Sequence, residues 1–132
     1  MPQSVKTRKS PRAKPKRKSY HRGNVRRDLV ALGREILEKE GLEAITLRRL
    51  AREIGVNPTN FYNHFPHMDY LLAAIKVEGH RELQTCFRKV ISLESNRANT
   101  VRALGHKYVD FAIQHPNLYR LMFDDVHDFD TH

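Results

Sequence analysis

A single cysteine in 132 residues has no intrachain partner, which excludes a small scaffold stapled by disulfides. No run of about 18 apolar residues exists, so no segment is suited to span a membrane as a helix. The N-terminus carries charge without the apolar stretch of a secretory signal. These absences predict a cytoplasmic protein without a membrane partner. Catalytic material is also thin. Among eight His, His64 and His67 stand three apart and His106 and His115 nine apart, but no set has the spacing and carboxylate partner of a zinc motif. Neither enzyme activity nor a metal nor a cofactor is expected. Cys86, three residues after Leu83 and next to Phe87, reads as a small core hydrophobe rather than a redox sensor. No internal repeat is visible.

The most uneven absence is that of acid. Residues 1–27 contain none, against eleven Lys and Arg, so the net charge of +9 belongs to one end and the remainder is slightly negative. Pro2, Pro11, Pro15, interspersed Ser and the lack of any apolar period predict a disordered basic tail over residues 1–19. Such a tail can neutralise phosphates and release counterions, giving salt-sensitive affinity without sequence preference. It also fits a solubilising or membrane-surface role. Beside a helix-turn-helix, however, an arginine-bearing arm can enter the minor groove.

A helix-turn-helix follows. Leu47, Leu50, Ala51 and Ile54 fall at i, i+3, i+4 and i+7, opened by Thr46 as N-cap and closed by Gly55. Val56 fills the corner, Asn57 caps a second helix, Pro58 takes its first position, and Phe61 and Phe65 point back at the first stripe. A rotation of about 100° per residue then turns Thr59 and Asn63 away from the buried side, flanked by Asn60 and Tyr62. This face is short, uncharged and rich in hydrogen-bonding groups. In a helix-turn-helix the second helix enters the major groove with its N-terminal residues on base edges, and an Asn amide can pair bidentately with adenine. The bland alternative is a three-helix packing unit with a polar outer face. The basic arm directly ahead favours the DNA reading.

The remaining pattern is helical throughout. Asn24 caps a first helix running to about Glu40, with Leu29, Leu32, Gly33, Ile36 and Leu37 inside and Gly41 as its stop. A long helix from 68 to about 93 keeps its period through Leu71, Leu72, Ile75, Leu83, Phe87, Val90 and Ile91, with Gly79 a tolerated weak point. Residues 95–100 read as a turn. Val101, Leu104, Tyr108, Phe111 and Ala112 set the next helix, ended at His115-Pro116, and a short helix spans Asn117 to about Phe123. The expected fold is all-α: a three-helix helix-turn-helix DNA-binding module, a long connecting helix and an incomplete helical C-terminal domain. Its parts are a basic tail (1–19), the DNA-binding module (20–67), the start of an effector or dimerisation domain (68–123) and an acidic tail (124–132).

Thr46 to Leu72 resembles the DNA-binding region of TetR-family transcriptional regulators. The segment Phe61-Tyr62-Asn63-His64-Phe65, followed by Leu71 and Leu72, is similar to the family's signature, and Tyr20 to Arg26 is similar to the opening of one branch. Tyr108 to Phe123 resembles the first part of that branch's C-terminal effector domain. The resemblance implies a dimeric repressor of double-stranded DNA whose C-terminal helices bind a small molecule. It implies that Thr59, Asn60 and Asn63 face bases, that Thr46 and Arg48 lie near phosphate and groove, and that Tyr62 and His64 contact the backbone. Arg22 of the arm joins this phosphate- or groove-facing set.

Three departures stand against the family pattern. Met68 occupies a position commonly held by a phosphate-gripping Lys, His67 replaces the usual Ser or Asp cap, and Thr59 replaces a Gly or other small residue. Members also continue for several helices beyond Phe123, so the chain is expected to be a fragment or a naturally short member with an incomplete ligand pocket. Beyond the inner stripes only Leu118, Leu121, Met122 and Phe123 offer apolar surface, and they are expected to cover the ends of the two long helices, so the chain is expected to be mostly monomeric.

Overall fold

The computed structural model describes residues 24–124, and all regular structure among them is helical. The order is α1 (Val25–Glu40), a single 3-10 turn (Leu42–Ala44), α2 (Leu47–Ile54), α3 (Pro58–His64), α4 (Met68–Leu93), α5 (Arg97–Gln114) and α6 (Pro116–Phe123). The basic tail with Arg22 and the acidic tail beyond Asp124 lie outside the described residues.

α1 is the hub. It packs against α4, α2 and α6, while α4 also carries α5 and α6, and α3 hangs from α2. Its inner stripe is Leu29, Val30, Leu32, Ile36 and Leu37, each 5% exposed or less. Gly33 sits where α1 crosses α4. A Cβ there would meet Ile75 Cδ1 at 3.0 Å, so the crossing distance depends on the missing side chain. Phe61, Phe65, Leu50, Leu71 and Ile75 complete a continuous core, each 1% exposed or less. Burying a side chain of this size stabilises the fold by roughly 1.5–3 kcal/mol.

Several sequence expectations change in the second half. α5 begins at Arg97, because Asn96 Oδ1 accepts the backbone N–H groups of Ala98 and Asn99 at 2.8 and 3.4 Å. The predicted turn over 95–100 therefore shrinks to Glu94–Asn96. The apolar stripes of the two long helices are only partly covered: Phe87 and Val90 are half-buried, Ile91 and Val101 are exposed, and α5 buries Phe111 alone. Leu118, Leu121 and Met122 cover the long helices as expected and Phe123 stays exposed, but they are not the only apolar side chains beyond the inner stripes. Leu118, Leu121 and Met122 are buried, whereas Val77, Ile91, Leu93, Val101, Val109 and Ile113 face outward. The expectation of a monomer loses that support.

Gly79 is also more than a weak point. It is buried under α6, and a Cβ there would meet Met122 Sδ at 2.5 Å and Leu118 Cδ1 at 3.2 Å, so its absence lets α6 lie on α4. Cys86 is half-buried on α4 rather than in the core.

Candidate nucleic-acid interface

The pair α2 and α3 is assembled by local rules. Thr46 Oγ1 accepts the Arg49 backbone N–H at 3.2 Å and opens α2. Gly55 closes it in the left-handed region at φ 83°, where the N–H groups of Gly55 and Val56 both return to the Ala51 carbonyl at 2.9 and 3.0 Å. Asn57 Oδ1 then accepts the Asn60 N–H at 2.8 Å, and Pro58 takes the first helical position. On α3 the rings of Phe61 and Phe65 lie 5.9 Å apart and root the helix in the core. A seven-residue helix has little stability of its own. Its orientation is set by that anchor and that cap.

The opposite side of α3 is thereby presented outward. Thr59, Tyr62, Asn63 and His64 are exposed, and Thr59 and Asn63 stand one turn apart. Asn60 is half-buried, with its backbone N–H committed to the cap. Tyr62 rests its ring edge-on against Phe61 at 5.6 Å. At the start of α2, Thr46 and Arg48 are exposed. The neighbouring Arg49 has a different task. Its guanidinium reaches Glu40 at 2.5 Å and Glu53 at 3.0 Å, and the hydrogen bond it donates to Glu40, followed by that to Glu53, raises its pKa further. Arg48 has no ion pair among the described residues and is available to a phosphate.

The corner after α3 departs as the sequence predicts. His67 makes no side-chain cap bond to α4 and stacks on the exposed Tyr70, ring centroids 6.1 Å apart. Met68 is half-buried against the core. The structure adds one residue to the surface. Arg26, in the first turn of α1, lays its guanidinium 5.0 Å over the Phe65 ring and so holds a positive charge beside the α3–α4 corner. In sequence Arg26 is one more cation of the basic run. Its position just after Asn24, inside α1, was the available signal. The remaining designated residue, Arg22, lies outside the described residues. Among the described residues no cluster of His, Cys, Asp or Glu could hold a metal ion.

Residues 29–75, which take in most of α1, the pair α2 and α3 and the first turns of α4, match the family model for bacterial regulatory proteins, tetR family. The helix-turn-helix region of this chain is thus similar to that of the tetR family. Over 106 residues the chain is 29% identical to an uncharacterised HTH-type transcriptional regulator, YobS, of Bacillus subtilis (strain 168), covering 80% of this chain and 55% of that protein. It is also similar to the solved structure of a protein of unknown function from Rhodococcus sp. RHA1, with a TM-score of 0.72 and 35% identity over 83% of this chain and 57% of that one. The chain thus spans little more than half the length of these relatives. No helix among its described residues is long and apolar enough to cross a membrane.

Proposed function

We propose that this chain, as a regulator of the tetR type, binds double-stranded DNA in a sequence-specific way and regulates transcription, acting in the cytoplasm as a repressor that a small-molecule effector releases. The observation that carries this reading is the geometry of α3: anchored by Phe61 and Phe65 and capped by Asn57, it presents Thr59 and Asn63 together on an exposed face. A helix so presented fits the major groove, with Asn63 able to pair bidentately with adenine and Thr59 able to offer a hydroxyl or a methyl group. Arg48, Thr46, Tyr62 and His64 surround it as backbone contacts, Asn60 lies at its edge, and the arm with Arg22 supplies charge. An open groove of about 500 Å³ along α4, lined by Val77, His80, Arg81, Leu83, Gln84 and Phe87, is a starting surface for an effector. Pairing with a second copy, so that two α3 helices meet half-sites about 34–36 Å apart, belongs to the same proposal.

Selection of retained duplexes from a random pool tests it. The expected result is one enriched motif, palindromic if two copies bind together. Retention without enrichment, lost steeply as salt rises, favours the alternative of a non-specific nucleic-acid or anionic-surface binder acting through the polybasic tail.

A further inference from the structure

Four side chains from three parts of the chain meet along the second half of α1. Arg34 reaches Glu82 of α4 at 2.5 Å and Glu38 of its own helix at 3.7 Å. His115, between α5 and α6, hydrogen-bonds Glu38 through Nδ1 and places Nε2 4.0 Å from Glu82. Two residues on, Asn117 Nδ2 donates to the Leu37 carbonyl at 3.0 Å, the same oxygen that accepts the Gly41 N–H closing α1 at 2.9 Å. The last turn of α1 is also tied to the helix-turn-helix, for Glu40 holds Arg49 of α2, which in turn holds Glu53. One helical turn therefore carries the α5–α6 corner through Glu38 and Leu37, and α2 through Glu40.

We infer that the last turn of α1, residues 37–41, is a coupling joint through which displacement of the α5–α6 corner reaches α2 and the reading helix. Its ties suit that use. They are polar and partly exposed, so each is weak and opens without exposing the core. The apolar seat of α6, with Leu118 and Leu121 buried, stays closed while the ties break. They also join residues 77 and 80 positions apart, so while they hold, a shift of the corner pulls on α1. The regulatory consequence rests on the DNA reading above, but the joint itself is tested without DNA.

The experiment uses the full chain free of DNA and compares it with the double variant His115→Gln, Asn117→Ala. Gln keeps a hydrogen-bonding group of similar reach without the imidazole, and the loss of Asn117 frees the Leu37 carbonyl. Amide hydrogen exchange should accelerate about fivefold or more at Gly41, Ile45 and Leu50, with no comparable change at Ile75 and Val77 in mid-α4. The Arg49 Nη–H resonances should shift as the pairing of Nη2 with Glu40 loosens. Linkage requires the reverse effect, so Arg49→Gln should accelerate exchange at Leu118 and Tyr119. Loosening of α6 with Gly41 to Leu50 and the Arg49 resonances unchanged would overturn the joint, since the corner and α2 would then hold α1 independently. Uniform acceleration of all helices would also overturn it, because the ties would then contribute only to global stability. If selection finds no preferred DNA yet exchange behaves as described, the DNA reading fails and the joint stands.

Discussion

The helix-turn-helix end and the far end of this chain use similar side chains to opposite effect. Eight residues of α2 bury Leu50, Ala51 and Ile54, whereas the eighteen residues of α5 bury only Phe111. On α5, Val101, Val109 and Ile113 are each more than half exposed, and Ile91 and Leu93 near the end of α4 are exposed as well. The first end closes its own core. The second leaves apolar stripes that no described residue covers. Helix starts do not divide the same way: α2, α3 and α5 have side-chain N-caps, while α1, α4 and α6 begin without one. A helix of two turns gains little from its own length, so the cap and the packed face decide whether it forms.

The contrast breaks most readily in the core. Phe61→Ala should cost about 3–5 kcal/mol in denaturant unfolding, whereas Ile113→Ala should stay within about 0.5 kcal/mol. Comparable losses at the two sites would show that α5 is packed as tightly as α3. At the seam between the ends, Gly79→Ala puts a methyl group into Met122 and Leu118. Overpacking should outweigh the gain in helix propensity and leave a net loss of about 1–2 kcal/mol, read from the urea midpoint. A rise in stability would mean that α6 yields easily. Removing the Asn57 cap by substitution with Ala should cost about 1 kcal/mol, while Asn24→Ala should cost almost nothing, since Asn24 makes no side-chain cap bond. Equal costs would contradict the claim that the reading helix depends on its cap.

The smallest effect is a pH dependence. The hydrogen bond from Arg49 holds the Glu40 carboxyl below its ordinary value of 4.5. The folded state therefore favours the ionised form. Its contribution is complete above that ordinary value and disappears as pH falls through the lower folded value. Thermal melts of the chain and of Glu40→Gln should differ by a constant amount near neutrality and converge in acid. Curves that stay parallel into acid would remove this pair from the account.

What the sequence made legible is what local chemistry decides. Gly41 at φ 94° and Gly55 at φ 83° stop helices where expected, and Thr46 and Asn57 cap where expected, because each signal acts within a few residues. The exposure of Thr59 and Asn63 follows from helical rotation away from Phe61 and Phe65. Tertiary facts were hidden. The periodicity of Val90, Ile91 and Val101 marks an apolar stripe but not whether anything lies on it. Gly79 reads as a helix defect until α6 is seen to rest there, and the Leu42–Ala44 turn carries no strong signal. Arg48 and Arg49 are indistinguishable in sequence, and only the placement of Glu40 and Glu53 separates the free guanidinium from the pinned one.

The central claim is that the outward face of α3 reads bases, and Asn63→Ala tests it most directly. Affinities of the chain and the variant would be measured for the selected duplex and for a scrambled duplex of equal length at one salt concentration. Loss of a bidentate base contact should weaken binding to the selected site by about 1–3 kcal/mol and leave the scrambled duplex nearly unaffected. An equal loss on both duplexes, or none on either, would contradict the account.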